Sequence, residues 1–385
     1  MDFKLTEEQK MIVSTARQMA DDFEEEEKRL EEERVELAAP LRKKLGELNF
    51  TGMTLPRKYG GQEMGNLEAV LVLEQLARKC PTLAGIFHET NFGPIRQVEF
   101  FGSDYLKGKY IPPTCSGDKL LSMGMTEPEA GSALTDLKAK ARLKGDYYIL
   151  NGQKRFISGA GVSESYLVFV RLTEERGARG IGTIIVDKDN KGLKFGKRER
   201  TMGHNTFPQR DLIFEDTPVP KENLVLKAGK FAEAMLCFDI ERVGNGTNSL
   251  GIAQGALEHS IEYSQHRCQF GKPICEFQAI QLMLADMVIM VESARGLIYK
   301  AASNSGRGFP NRLGSSIAKC YSNEIAKKVT DLALEIFGGY GYSMDYPIER
   351  LLRDSRGWAI AAGTPQMQKI GIVSALLGRH FDQRK

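Results

Sequence analysis

The chain has 385 residues, 42% of them hydrophobic, and its 53 basic and 50 acidic side chains nearly cancel to a formal net charge of +3. That length fills two or three packed regions, and the balanced charge leaves no global field to recruit nucleic acid or a membrane surface. The opening Met-Asp-Phe-Lys-Leu-Thr-Glu-Glu-Gln has no basic segment leading into an apolar one, and no apolar run is long enough to span a bilayer. We therefore expect a cytoplasmic protein without a targeting peptide or stable membrane association. Cys80, Cys115, Cys237, Cys268, Cys275 and Cys320 form no CxxC pair, which fits reduced thiols, and the five histidines offer no HxxxH spacing, so no metal site is expected.

From Thr6 to about Tyr110 the pattern is helical. Thr6 with Glu8-Gln9 caps a first helix carrying Met11, Ile12, Ala16 and Met19. The acidic run Asp21 to Glu36 reads as a solvated face, and Leu67 to Ala77 reads as a buried amphipathic helix ending before Pro81. Between about Pro113 and Val225 the period changes. Leu120–Met125, Tyr147–Leu150, Tyr166–Val170 and Gly182–Val186 are short apolar runs divided by turns at Lys144-Gly145-Asp146 and Asn190-Lys191-Gly192. No long helical pattern alternates with them, so an antiparallel sheet is expected rather than a doubly wound one. After Lys230 helical stripes return. One runs through Ile280, Met283, Leu284, Met287, Val288, Val291, Ala294, Leu297, Ile298 and Ala301, and another through Ile317, Ile325, Val329, Leu332 and Ile336. The expected fold is α+β, mainly α: an N-terminal helical domain (1–113), a middle antiparallel β domain (114–225) and a C-terminal helical domain built on a four-helix bundle (226–385).

Four segments carry chemistry in combination: Met125-Thr-Glu-Pro-Glu-Ala-Gly-Ser132, Asn151-Gly-Gln-Lys-Arg-Phe-Ile-Ser-Gly159, Arg267-Cys-Gln-Phe-Gly271 with Phe277-Gln278, and Phe337-Gly-Gly-Tyr-Gly-Tyr342. Small residues and backbone amides in such turns let an anionic or heteroaromatic ligand approach closely. In this order and spacing the segments resemble those of the acyl-CoA dehydrogenases, from the opening helix to Gly371. The resemblance implies FAD as cofactor, an acyl-CoA substrate, an electron-transfer flavoprotein as partner and a homotetramer. It places Met125, Thr126, Gly131 and Ser132 at the flavin and pyrophosphate, with Ser132 also near substrate, and Phe156, Ile157 and Ser158 against the flavin ring. Arg267, Phe270 and Gln278 are implied as residues a neighbouring subunit lends to the same cofactor, with Gly338, Gly339, Thr364 and Gln366 also contacting it. Glu335 stands where the family often has Gln. A carboxylate cannot donate as an amide does, so it either rearranges the adenosine end or pairs with a nearby base.

The reaction implied by the resemblance needs a carboxylate base on one face of the substrate and a hydrogen-bond donor for the thioester oxygen. Most family members carry the base at the position of Ala362, in the loop Ala361-Ala362-Gly363-Thr364, which here contains no acid. Some branches, the isovaleryl and long-chain types among them, use a Glu at the position of Glu241 instead. Glu241 precedes Gly244, Gly246 and Thr247, read here as an approach for a ligand. The rival reading is a surface Glu paired with Arg242 or a residue one turn away. Ala362 keeps a backbone N–H for the thioester, with Gly363 beside it. Arg242 and Asp239 are implied near the CoA. On the segment Gly85–Pro94, His88, Glu89 and Asn91 are polar for an acyl-pocket wall. Either they face a functionalised, cyclic or aryl-bearing acyl group, or they belong to solvent or a structural network. Trp358 either closes the pocket or packs in the core. The same constellation fits dehydrogenation, its reverse as an enoyl-CoA reductase, and a CoA-binding flavoprotein that has lost dehydrogenation.

Overall fold

A computed structural model describes residues 4–36, 39–379 and 381. The ends of the expected outer domains, residues 1–3 and 382–385, lie outside the described residues. Seven helices open the chain: α1 (Glu7–Asp22), α2 (Glu24–Glu32), α3 (Ala39–Glu47), α4 (Asn66–Ala77), α5 (Pro81–Asn91), α6 (Ile95–Phe101) and α7 (Asp104–Cys115). The Thr6 cap forms reciprocally. Gln9 N donates to Thr6 Oγ1 at 3.2 Å and Thr6 N donates to Gln9 Oε1 at 3.0 Å, so two otherwise orphaned amides are satisfied.

Strands β1 (Leu121–Gly124), β2 (Lys140–Lys144), β3 (Tyr147–Ser158), β4 (Ser165–Arg171), β5 (Ile181–Asp187), β6 (Leu193–Phe195), β7 (Gln209–Pro220) and β8 (Leu224–Leu226) form one sheet in the order β6-β7-β3-β2-β4-β5-β8, with β1 beside β4. The pairing is antiparallel except where β1 and β2 meet β4. Successive residues of a strand face opposite ways. Thus Leu167 and Phe169 of β4 enter a core shared with α6 and α7, while Tyr166, Val168 and Val170 enter a second core under β3 and β7.

The remaining elements are α8 (Phe231–His266), the hairpin β9 (Cys268–Gln269) and β10 (Lys272–Pro273), α9 (Gln278–Ser303), α10 (Arg312–Phe337), α11 (Ile348–Ile360) and α12 (Pro365–Leu376). Helices α8 to α11 pack on one another, and α12 covers α10. The long α8 also receives α4 and α5, so one rod joins both helical layers. Among the described residues no helix is long and apolar enough to cross a membrane.

Three expectations change. Helix α4 is buried at every position from Ala69 to Ala77 rather than on one stripe, because α1, α5, α8 and α9 surround it. The acidic run is not wholly solvated: Glu27 is 0% exposed, and its carboxyl accepts from Thr82 N and Thr82 Oγ1. One turn on, buried Glu31 accepts from Asn205 and Arg353. The broad α9 stripe is not uniformly buried. Met287, Val291, Ala294, Ile298 and Ala301 are buried, whereas Val288 is exposed.

Candidate active site

The loop between α11 and α12 reverses the chain through two left-handed residues, Ala362 at φ +52° and Gly363 at φ +85°. An L-residue in that region costs roughly 1–2 kcal/mol and persists only where surrounding contacts hold it. Here the hold is a buried polar network. Lys319 of α10, wholly buried, donates from Nζ to Gly363 O at 2.9 Å and to Asn323 Oδ1 at 2.9 Å. Gln368 Nε2 donates to the same Gly363 O at 3.1 Å. Asn323 Nδ2 reaches Asn245 Oδ1 at 3.1 Å and Ser249 Oγ at 2.7 Å on α8, and Asn245 Nδ2 meets Ala361 O at 3.5 Å. Thr364 Oγ1 accepts from Met367 N and starts α12.

Glu241 lies one turn before Asn245 on α8, so helical periodicity puts both on the face turned to this loop. Its side chain is half-buried. Desolvation pushes its carboxyl up to about 7, against the opposing charges of Arg242 and Lys319. Burial pulls Lys319 down to about 7, with Glu241 resisting. Neither Lys319 nor Asn245, Asn323 and Gln368 figured in the sequence reading. Their signal was partial: Lys319 and Asn323 are polar residues at i, i+4 on α10, whose buried face also carries Ser315, Ser316, Ser322 and Thr330.

The glycines beside Glu241 have a different role from the one expected. A Cβ added at Gly244 would lie 2.6 Å from the Phe92 ring and 3.0 Å from His88. At Gly246 it would meet Ile298 at 2.6 Å. These positions let α5 and α9 close onto α8, so the space is filled by protein rather than by a ligand.

Asp239 and Arg242, one turn apart, form a buried ion pair, and Ser315 Oγ donates to Asp239 Oδ1 at 3.2 Å. Arg242 Nε is enclosed without a partner. His88 is buried against Phe92 and Trp358, with ring centroids 6.0 and 5.4 Å away. Its Nδ1 accepts from Asn248 Nδ2 at 3.2 Å, and burial holds its pKa down at about 4, so the imidazole is neutral. Asn91 departs from the expected substrate role. Its Nδ2 donates to Phe50 O and Phe87 O, and its Oδ1 accepts from Thr54 N. Every polar atom of that side chain is used to hold the segment Phe50–Thr54. Trp358 sits between His88 and His204.

Two further clusters hold the expected cofactor residues. In the first, the turn at Met125–Ser132 is tied to β3. Buried Lys154 donates to Met125 O at 3.1 Å and to Glu127 at 2.7 Å, and Arg155 N donates to Thr126 O at 2.8 Å. Gly131 and Ser132 are exposed, and nothing stands within 4 Å of a Cβ built on Gly131. Phe156, left-handed at φ +57°, presents its ring at the surface beside buried Ile157 and half-buried Ser158. Met125 packs on the core containing Ala234 and Phe238, so this cluster lies at the Glu241 end of α8. The second cluster lies at the other end. Arg267, Gly338, Gly339 and Tyr340 line a groove of about 910 Å³, with the Arg267 guanidinium 5.3 Å from the Tyr340 ring. Phe270, 95% exposed, and Gln278 stand beside it on the β9–β10 hairpin and the start of α9. Glu335 is exposed on the last turn of α10 and makes no ion pair among the described residues, and Gln366 is exposed on α12.

Family models match almost the whole chain: acyl-CoA dehydrogenase N-terminal domain over residues 6–118, middle domain over 122–217 and C-terminal domain over 231–377. The short-chain-specific acyl-CoA dehydrogenase of Clostridium acetobutylicum is 36% identical over 379 residues, 97% of this chain and 98% of that protein. Acryloyl-CoA reductase (NADH) of Anaerotignum propionicum is 38% identical over 383 residues, 98% and 97% of the two chains. The solved structure of butyryl-CoA dehydrogenase from Megasphaera elsdenii matches with a TM-score of 0.94 at 36% identity, covering 98% of this chain and 100% of that one.

Proposed function

The chain belongs to the acyl-CoA dehydrogenase family, and on that premise we propose that it removes hydrogen across the α,β-bond of an acyl-CoA thioester with Glu241 as the base. The observation that carries this reading is the placement of Glu241: a desolvated carboxyl with its pKa near 7, one helical turn from the residue that touches the Ala361–Thr364 loop. A base works best with a pKa near the working pH, and a carboxyl is brought there by burial. Ala362, turned left-handed, presents its N–H to the thioester oxygen, where it stabilises the charge that develops as the α-proton leaves. Lys319 and Gln368 keep that donor in place through Gly363 O. Asp239 and Arg242 act as a pair near the CoA, with Gly363 beside the thioester.

The first cluster suits FAD by its donors and shape: an exposed left-handed Phe156 to cover a ring, free backbone at Gly131, and hydroxyls on Thr126, Ser132 and Ser158. Thr126, Ser132, Phe156 and Ser158 would hold FAD there, and the group would supply a hydride acceptor for the β-carbon. The second cluster offers a guanidinium, an exposed aromatic ring and bare glycines, which suit a diphosphate and an adenosine. Arg267, the cap residue at the C-terminal end of α8, stands 26 residues beyond Glu241, roughly 39 Å along the helix axis at 1.5 Å per residue. One chain's Arg267 therefore serves a flavin held by another chain, as in the homotetramer that the family resemblance implies, and the exposed apolar face of α9 at Leu282, Val288 and Ile289 suits a contact between chains. Electrons then pass to an electron-transfer flavoprotein.

The test is flavin bleaching by acyl-CoAs in the purified protein. Glu241→Gln should slow bleaching by about 10²–10⁴-fold while acyl-CoA binding persists. Bleaching at the wild-type rate removes Glu241 from the mechanism. The reverse reaction, enoyl-CoA reduction, uses the same residues with Glu241 returning its proton to the α-carbon, and the relative named an acryloyl-CoA reductase favours keeping it in view. Oxidation of pre-reduced flavin by an enoyl-CoA, with no bleaching by any acyl-CoA, identifies that direction.

A further inference from the structure

Glu89 takes no part in the chemistry described above, yet it is placed as a binding group. Its Oε2 is enclosed and has no hydrogen-bond partner, while the residue as a whole keeps accessible surface. That oxygen has lost its water with no protein group in its place. Asn91, two residues on, shows the contrast, since all its polar atoms are consumed by backbone groups.

The direction of the Glu89 carboxyl follows from the packing of α5 on α8. His88 meets Asn248 and Phe92 meets Gly244, so the two helices run antiparallel and the C-terminal end of α5 points toward Glu241. The Glu89 side chain folds forward over Gly93, where its Oε2 would be 2.9 Å from an added Cβ, and therefore reaches toward the same end. Burial raises its pKa well above the usual carboxylate range, and Glu241 is the one charged group that adds to the effect. Burial thus favours the protonated carboxyl, which can donate through O–H and accept through C=O.

We propose that Glu89 is a specificity-determining residue of the acyl pocket, selecting acyl-CoAs whose chain carries a neutral hydrogen-bonding group, a hydroxyl above all, over plain alkyl chains. The inference rests on the acyl-CoA reading given under the proposed function. A hydroxyl satisfies both functions of a protonated carboxyl at once. An alkyl chain leaves them unpaired, and a carboxylate on the acyl chain meets repulsion from Glu241.

The experiment uses the flavin-loaded protein and a ladder of straight-chain acyl-CoAs, each paired with its terminally hydroxylated counterpart, with terminal amino and carboxyl versions at the best length. At one chain length the hydroxylated substrate should exceed the alkyl one in kcat/KM by at least about tenfold. Glu89→Met should reverse that ratio, and Glu89→Gln, which keeps a donor and an acceptor, should preserve most of it. A wild-type preference for alkyl chains at every length, or a ratio unmoved in Glu89→Met, overturns the proposal. So does a preference for the amino version over the hydroxyl one, because Glu89 would then act as an anion. Should neither series bleach the flavin, the acyl-CoA reading has failed by itself. The hydroxyl-to-alkyl affinity ratio, measured calorimetrically in wild type and Glu89→Met, then decides on Glu89 alone.

Discussion

The two ends of α8 are built on opposite principles. Around Glu241 buried polar groups are linked to one another: Lys319, Asn323, Asn245, Ser249 and Gln368 form a connected network around one strained loop. Around Arg267 the groups are exposed, with Phe270 at 95% exposure and Gly338 and Gly339 open to solvent. A connected buried network fixes geometry within one chain. An open groove with exposed aromatics is instead complementary to something the chain itself does not supply. The contrast teaches that the two ends of α8 suit different demands, one end held by its own fold and the other left open.

The sharpest way to break this contrast is Lys319→Met. Loss of the Gly363 contact should free Ala362 from its left-handed geometry and lower the bleaching rate by about 10–100-fold, with binding of a CoA thioether lacking the carbonyl oxygen unchanged. The pH profile carries a second reading. The proposed base Glu241 would act only when ionised, so dehydrogenation should rise with pH through about 7. Lys319 holds that pKa down, so its removal should move the rise to higher pH. At the open end, Arg267→Ala should leave that pH profile in place and weaken flavin retention by roughly tenfold, read as flavin released on dilution, together with a shift toward smaller assemblies in sedimentation. An effect on the pH profile instead would merge the two ends.

Smaller effects test the scaffold. Asn91→Ala should cost about 1–3 kcal/mol of stability in denaturant unfolding, because Thr54 N and Phe50 O lose their partner, with the choice among acyl-CoAs unaltered. Glu27 has its pKa raised from 4.5 to about 7 by burial. A raised carboxyl pKa means that stability is full below about 4.5, falls as pH rises and levels off above about 7. Glu27→Gln should flatten that decline, by roughly 1–3 kcal/mol.

The helix–sheet–helix plan could be read from periodicity, because an apolar face of period 3.6 or 2 survives whatever packs on it. The Thr6 cap was readable for the same local reason. Burial of Glu27, Glu31 and the whole circumference of α4 was not, since each depends on how many neighbours arrive from distant parts of the chain. Gly244 and Gly246 marked a close approach correctly, but what approaches is Phe92 and Ile298, residues more than a hundred positions and some fifty positions away.

By itself the sequence determined the family, the architecture and the absence of an acid from Ala361–Thr364, all of which are properties of residue order. Only the tertiary structure decided that Lys319 pins that loop, that Asn91 is structural while Glu89 is unpartnered, and that Glu241 and Arg267 lie at opposite ends of one rod. The reason is physical. Hydrogen-bond satisfaction and desolvation are set by what surrounds a group in space, and adjacent residues on one helix, such as His88 and Glu89, meet different surroundings.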